Sequence, residues 1–140
     1  MQNRTVAIID DNQVSLRELE KILTMAGYTT ILVNDILGAV DTVINNKPDV
    51  ILMELKMPHK NGFALADAIN RVFETKKIPI IAMSNIFKDE FKWLMDFSGI
   101  KRWIKKPFLP LDVIWAVENE MPEDNNLNME KELAHVESMA

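Results

Sequence analysis

Cysteine is absent from these 140 residues, which excludes disulfide frameworks, thiolate zinc sites and cysteine nucleophiles. Glycine is scarce at four residues, and none of them forms a loop able to cradle a phosphate through its backbone amides. No apolar run approaches the roughly 18 residues of a membrane span, and the N-terminus lacks a signal peptide's basic-then-apolar layout. A cytoplasmic protein without membrane contact is therefore expected. An excess of positive charge is also missing. The chain carries 16 basic and 21 acidic residues, a net charge of −5, which argues against nucleic acid as a partner and for proteins or small ligands. What is present is a chain long enough for one domain with its own core.

Short apolar runs alternate with helical patterns. Thr5 to Ile9, Thr29 to Val33, Val50 to Met53, Ile78 to Met83 and Arg102 to Ile104 read as strands. Between them, Leu16, Leu19, Ile22, Leu23 and Ala26 make a helical stripe that stops at Gly27. Further helices are expected over Asp35 to Asn46, Asn61 to Glu74, Phe87 to Phe97 and Pro110 to Asn119, the last with proline in its first turn. The sum is (βα)5: a doubly wound, five-stranded parallel sheet covered on both faces. This unit spans residues 1–120. Residues 121–140 begin with a polar, acidic linker, and Met129, Leu133, Val136 and Met139 then recur at the spacing of a short amphipathic helix.

Ligands of such sheets sit outside the carboxyl ends of the strands, and the notable polar residues fall there. Asp10 and Asp11 follow the first strand, Glu54 the third, Ser84 the fourth and Lys106 the fifth. An isolated Asp-Asp pair is ordinarily a helix cap with a solvated neighbour, and a lone Lys-Pro is a turn. As a set they suggest three carboxylates for a magnesium ion, with a lysine and a hydroxyl facing phosphoryl oxygens.

Over about residues 4 to 120 the chain resembles the receiver domain of two-component response regulators, with their flavodoxin-like fold. The resemblance rests on Asp10-Asp11, on DVILMELKMPHKNG with Met57-Pro58 and Gly62, on Ser84 in IPIIAMSN and on Lys106 in WIKKPF. It implies a phosphoacceptor at position 54, a switch through Ser84 and Trp103 beside Lys106, and weak Mg2+ binding by Asp10, Asp11, Glu54 and the backbone carbonyl of Lys56. The acceptor in this family is an aspartate, whereas this chain has Glu54. One further methylene displaces the carboxylate by roughly 1.5 Å, and misplacement of that order costs about 10²-fold in a positioned reaction. Asn85, where receivers usually carry a small residue, narrows access further. The expectation is a stand-alone, non-enzymatic signalling domain that works without phosphorylation. Glu54 either reaches Lys106 and Ser84 as a phosphoaspartate would, or pairs with Lys106 or Lys56 and freezes the other state. A phosphoryl-accepting regulator and a structural adaptor with a relic site are the alternatives.

In the family's register, Phe97, Leu109, Leu111 and Trp115 occupy normally solvent-facing positions, and Trp93 joins them. Lys101, Arg102 and Lys105 form the rim. Such a patch reads as a protein interface, for a homodimer or another partner, unless the acidic C-terminal helix covers it.

Overall fold

The computed structural model describes residues 4–58, 61–123 and 139. Five strands, β1 (Thr5–Ile9), β2 (Thr29–Val33), β3 (Val50–Glu54), β4 (Ile80–Ser84) and β5 (Ile100–Lys105), alternate with five helices. These are α1 (Gln13–Met25), α2 (Ala39–Asn46), α3 (Gly62–Arg71), α4 (Glu90–Ser98) and α5 (Pro110–Glu120). The strands form one parallel sheet in the order β2-β1-β3-β4-β5, as the (βα)5 pattern predicts.

Successive strand residues point to opposite faces, and the sheet therefore divides the core in two. Val6, Ile8, Leu52, Ile81 and Met83 pack with α1 and α5 on one side. Ala7, Ile9, Ile51, Met53 and Ala82 pack with α2 and α3 on the other. Because β1 and β3 are neighbours whose connections leave in opposite directions, a crevice opens at their carboxyl ends. The core runs one residue beyond the expected boundary, for Met121 is buried with the α1–α5 layer. The amphipathic helix expected from Met129 onward lies outside the described residues, apart from Met139.

Several boundaries depart from the sequence pattern, β4 beginning at Ile80 and not Ile78 among them, and four have a local reason. Helix α2 starts at Ala39, four residues after Asp35, because the Asp35 carboxylate accepts the Leu37 N–H at 3.1 Å and holds a turn there. Helix α3 ends at Arg71, where the Val72 N–H turns back to the Ile69 carbonyl and Thr75 Oγ1 bonds the same oxygen at 2.7 Å. Helix α4 starts at Glu90, not Phe87, since Phe87 leaves the helical path to stack on Trp103. Strand β5 spans six residues, longer than its apolar centre, because backbone pairing with β4 continues to Lys105.

Candidate functional site

The site forms where β1, β3 and β5 end. Asp10 is held by its own backbone, whose N–H donates to the Val33 carbonyl at 3.1 Å. Asn12 then caps α1, its Oδ1 accepting the N–H groups of Val14 and Ser15 at 2.9 and 3.1 Å. Lys106 is fixed next to this turn by its N–H, which donates to the Ser84 carbonyl at 2.9 Å.

The Lys106 ammonium lies between two carboxylates. Its Nζ donates to Asp10 Oδ2 at 2.9 Å and to Glu54 Oε1 at 3.3 Å. Ser15 Oγ stands at 3.5 Å, the outer limit of such a bond. The other carboxylate oxygens are also engaged. Asp10 Oδ1 accepts the Asn12 N–H at 2.9 Å, and Glu54 Oε2 accepts the Leu55 N–H at 3.0 Å. Side-chain exposure is 1% for Asp10, 13% for Glu54 and 16% for Lys106, so water does little to screen these charges.

Burial pushes the Glu54 carboxyl above the ordinary glutamate range. Lys106 opposes the shift and the Asp10 carboxylate adds to it, leaving a net rise. The folded protein thus holds this proton more tightly than the unfolded chain does. Stability from Glu54 is fully present below the unfolded-state pKa and is lost as pH rises through the raised value. Relative to Glu54→Gln, the wild type should therefore gain stability between pH 7 and pH 5. Urea unfolding at the two pH values tests the sign, and a difference that stayed flat or reversed would contradict it.

The remaining expected residues are distributed unevenly. Asp11 is exposed, and Lys56 pairs with Asn61 in an isolated antiparallel bridge. Ser84 is buried, but its Oγ accepts the Ile86 N–H at 3.2 Å and makes no bond to Glu54. Glu54 thus meets Lys106 and not Ser84, because its second oxygen turns back to the Leu55 amide. Trp103 stacks on Phe87, with ring centroids 4.4 Å apart, and its buried indole N–H has no partner among the described residues. Phe87 and Ser15 were not apparent as site residues from the sequence. Ser15 could have been found from its position three residues past the Asn12 cap, which puts it in the first turn of α1 beside the crevice.

The outer face of α4, β5 and α5 is apolar, as its register implied. Phe97 is 58% exposed, Leu109 67%, Leu111 77% and Trp115 59%. Trp93 and Phe97 stack with ring centroids 5.5 Å apart. Arg102 lies 4.6 Å from the Trp115 ring centroid and pairs with Glu120 at 3.1 Å.

A parallel sheet of this order, with an acidic residue, a lysine and a buried hydroxyl at its strand ends, defines a receiver architecture. The model of the response regulator receiver domain matches residues 6–118, and the chain belongs to that family. It is 31% identical over 127 residues to the transcription factor SKN7 of Candida albicans, covering 89% of this chain but only 22% of that protein. The polar-differentiation response regulator DivK of Brucella anthropi is 26% identical over 104 residues, covering 74% of this chain and 85% of DivK. Among solved structures, the Vibrio cholerae chemotaxis protein CheY4 superposes with a TM-score of 0.82 at 23% identity, over 86% of this chain and all (100%) of CheY4. A CheY-like receiver from Methanospirillum hungatei gives 0.79 at 18% identity, covering 85% of this chain and 94% of its own. At these identities the two structures speak to the fold alone.

Receiver domains generally bind Mg2+ at the phosphorylation site. Here the expected ligands are not gathered for it: among the described residues no group of three His, Cys, Asp or Glu side chains could hold a metal. Of the expected set, Asp11 is exposed, while the Lys106 ammonium lies between Asp10 and Glu54.

Proposed function

We propose that this receiver domain signals from a fixed state, without taking up a phosphoryl group, and that its output is protein–protein contact. The observation that carries the reading is the position of Lys106, bonded to Asp10 at 2.9 Å and to Glu54 at 3.3 Å. In a receiver that lysine would meet the incoming phosphoryl oxygens. Here the longer Glu54 side chain meets it instead, with one carboxylate oxygen while the other is occupied by a backbone amide. The role involves no enzymatic turnover and suits a cytoplasmic module; among the described residues, no helix is long and apolar enough to cross a membrane.

Incubation with acetyl phosphate and magnesium, followed by intact mass measurement, tests the chemistry. The mass should not change. Stoichiometric addition of one phosphoryl group would overturn the proposal.

The contact surface in this reading is the exposed set of Phe97, Leu109, Leu111 and Trp115, together with Trp93. Full burial of such side chains is worth about 1.5–3 kcal/mol each, and an aromatic beside an arginine is a common centre for an interface. A second copy of the chain is the simplest partner. Sedimentation should then show concentration-dependent association that Trp115→Glu abolishes. Because Trp115 lies outside the core and its ring contact is with Arg102, that substitution should cost no more than about 1 kcal/mol of folding stability. A monomer at all concentrations would remove the homodimer and leave a different protein as the occupant.

A further inference from the structure

A cavity of about 560 Å³ opens beyond Ser84, between the loop after β3 and the start of α4. Its floor includes the buried side chains of Leu55 and Met57. Its wall is formed by Phe63 from α3 and by Phe91 and Leu94 from α4. Phe63 and Phe91 pack against each other with centroids 5.3 Å apart, making one continuous aromatic surface. The volume falls within the roughly 300–1,000 Å³ typical of sites for small organic ligands.

Its charge is one-sided. Among the described residues, the ionisable ones lining it are Lys56 and Lys88, in a chain whose net charge is −5. Neither lysine has an ion-pair partner among the described residues. Asp89 and Glu90 stand close in sequence but do not line the cavity. The cavity also borders the switch elements, since Ser84 and Ile86 both line it and are joined by the 3.2 Å bond from the Ile86 N–H to Ser84 Oγ. The next residue, Phe87, stacks on Trp103.

We infer that this cleft binds a small amphipathic organic anion, its carboxylate held by Lys56 and Lys88 and its apolar body laid against Phe63 and Phe91. Occupancy would bear on the Ser84–Ile86 turn, and through Phe87 on Trp103, giving the domain a chemical input distinct from phosphoryl transfer. This inference needs only the cavity and its charge, and it survives if the domain proves to be phosphorylated.

Two probes, 2-naphthoate and decanoate, would be titrated separately into the full chain while backbone amide resonances are followed. At least one should give saturable shifts centred on Ile86, Lys88 and Phe91, with half-saturation below about 1 mM, the weak end of specific binding. The neutral 2-naphthamide or decanamide should bind at least tenfold more weakly than its anion. The double variant Lys56→Glu/Lys88→Glu, both positions being exposed, should lose at least tenfold for the anion while keeping the amide spectrum of a folded protein. Phe91→Ala should weaken the probe that binds; if that variant fails to fold, the lysine pair alone decides. Shifts centred on Trp93, Phe97 and Trp115, equal affinity for anion and amide, an unchanged affinity in the lysine variant, or no saturation with either probe would each overturn the inference.

Discussion

Lys106→Met should lower the free energy of unfolding by about 3–5 kcal/mol at neutral pH, the usual cost of breaking a buried ion pair from one side. The magnitude follows from what remains. Asp10 is 1% exposed and Glu54 13%, so two carboxylates would share a poorly solvated cleft with no cation between them. The Glu54 carboxyl, already raised by burial, should rise further as its one opposing charge disappears. Protonation would then favour the folded variant, so its deficit should be largest at neutral pH and shrink toward pH 5. A divalent cation should restore stability to the variant and do little for the wild type, since only the variant leaves Asp10 and Glu54 without an ammonium. Denaturant titrations at two pH values, with and without magnesium, measure all of this. A loss below about 1 kcal/mol with no pH dependence would mean that the cleft behaves like an exposed surface pair.

Gly62→Ala should be almost as costly, about 2–3 kcal/mol, by overpacking against atoms that cannot rotate away. A Cβ at this position would lie 2.6 Å from Leu55 Cα, 2.8 Å from the Glu54 carbonyl oxygen and 2.9 Å from the Leu55 carbonyl oxygen. All three are backbone atoms. The Gly62 N–H meanwhile donates to the Leu55 carbonyl at 2.9 Å, holding the start of α3 against the end of β3. Relief requires β3 to move just where it carries Glu54, and the variant should therefore disturb the Lys106 contact as well as global stability. Gly27→Ala provides the comparison. Gly27 has a φ of +96° with nothing within 4 Å of an added Cβ, so its cost should be the left-handed strain alone, about 1–2 kcal/mol. Chemical denaturation compares the stabilities, and amide shifts around Glu54 and Lys106 should move in Gly62→Ala only. If both variants cost the same and leave those amides unmoved, the close approach at Gly62 does not hold the site.

The strands at Thr5 to Ile9 and Val50 to Met53 were legible because burial on both faces of a parallel sheet demands continuous apolar runs. Helix ends were less so. Asp35 reads as a helix start, and only the conformation of the chain decides whether its carboxylate caps a helix or, as here, holds the turn before one. Phe87 reads as the first apolar residue of a helix, yet its ring gains more from Trp103 than from helical register. Such choices depend on neighbours distant in sequence, which periodicity does not encode.

The sequence by itself determined the architecture, the gathering of Asp10, Glu54, Ser84 and Lys106 at one sheet edge, and the glutamate where the family carries an aspartate. Alternating apolar segments leave few ways to cover a sheet, and strand ends in that topology have only one place to be. The apolar character of Phe97, Leu109, Leu111 and Trp115 was likewise visible from register. Only the tertiary structure decided how the charges divide: Lys106 bridges Asp10 and Glu54, Asp11 turns to solvent, and Ser84 closes its own turn instead of meeting Glu54. It alone revealed the cavity lined by Lys56, Phe63, Lys88 and Phe91, which lie on two stretches far apart in the chain. The physical reason is one of scale. Hydrophobic burial is coarse and periodic, so it can be read along the chain, whereas an ion pair or a cavity wall turns on a few ångströms between side chains that meet only after the fold has closed.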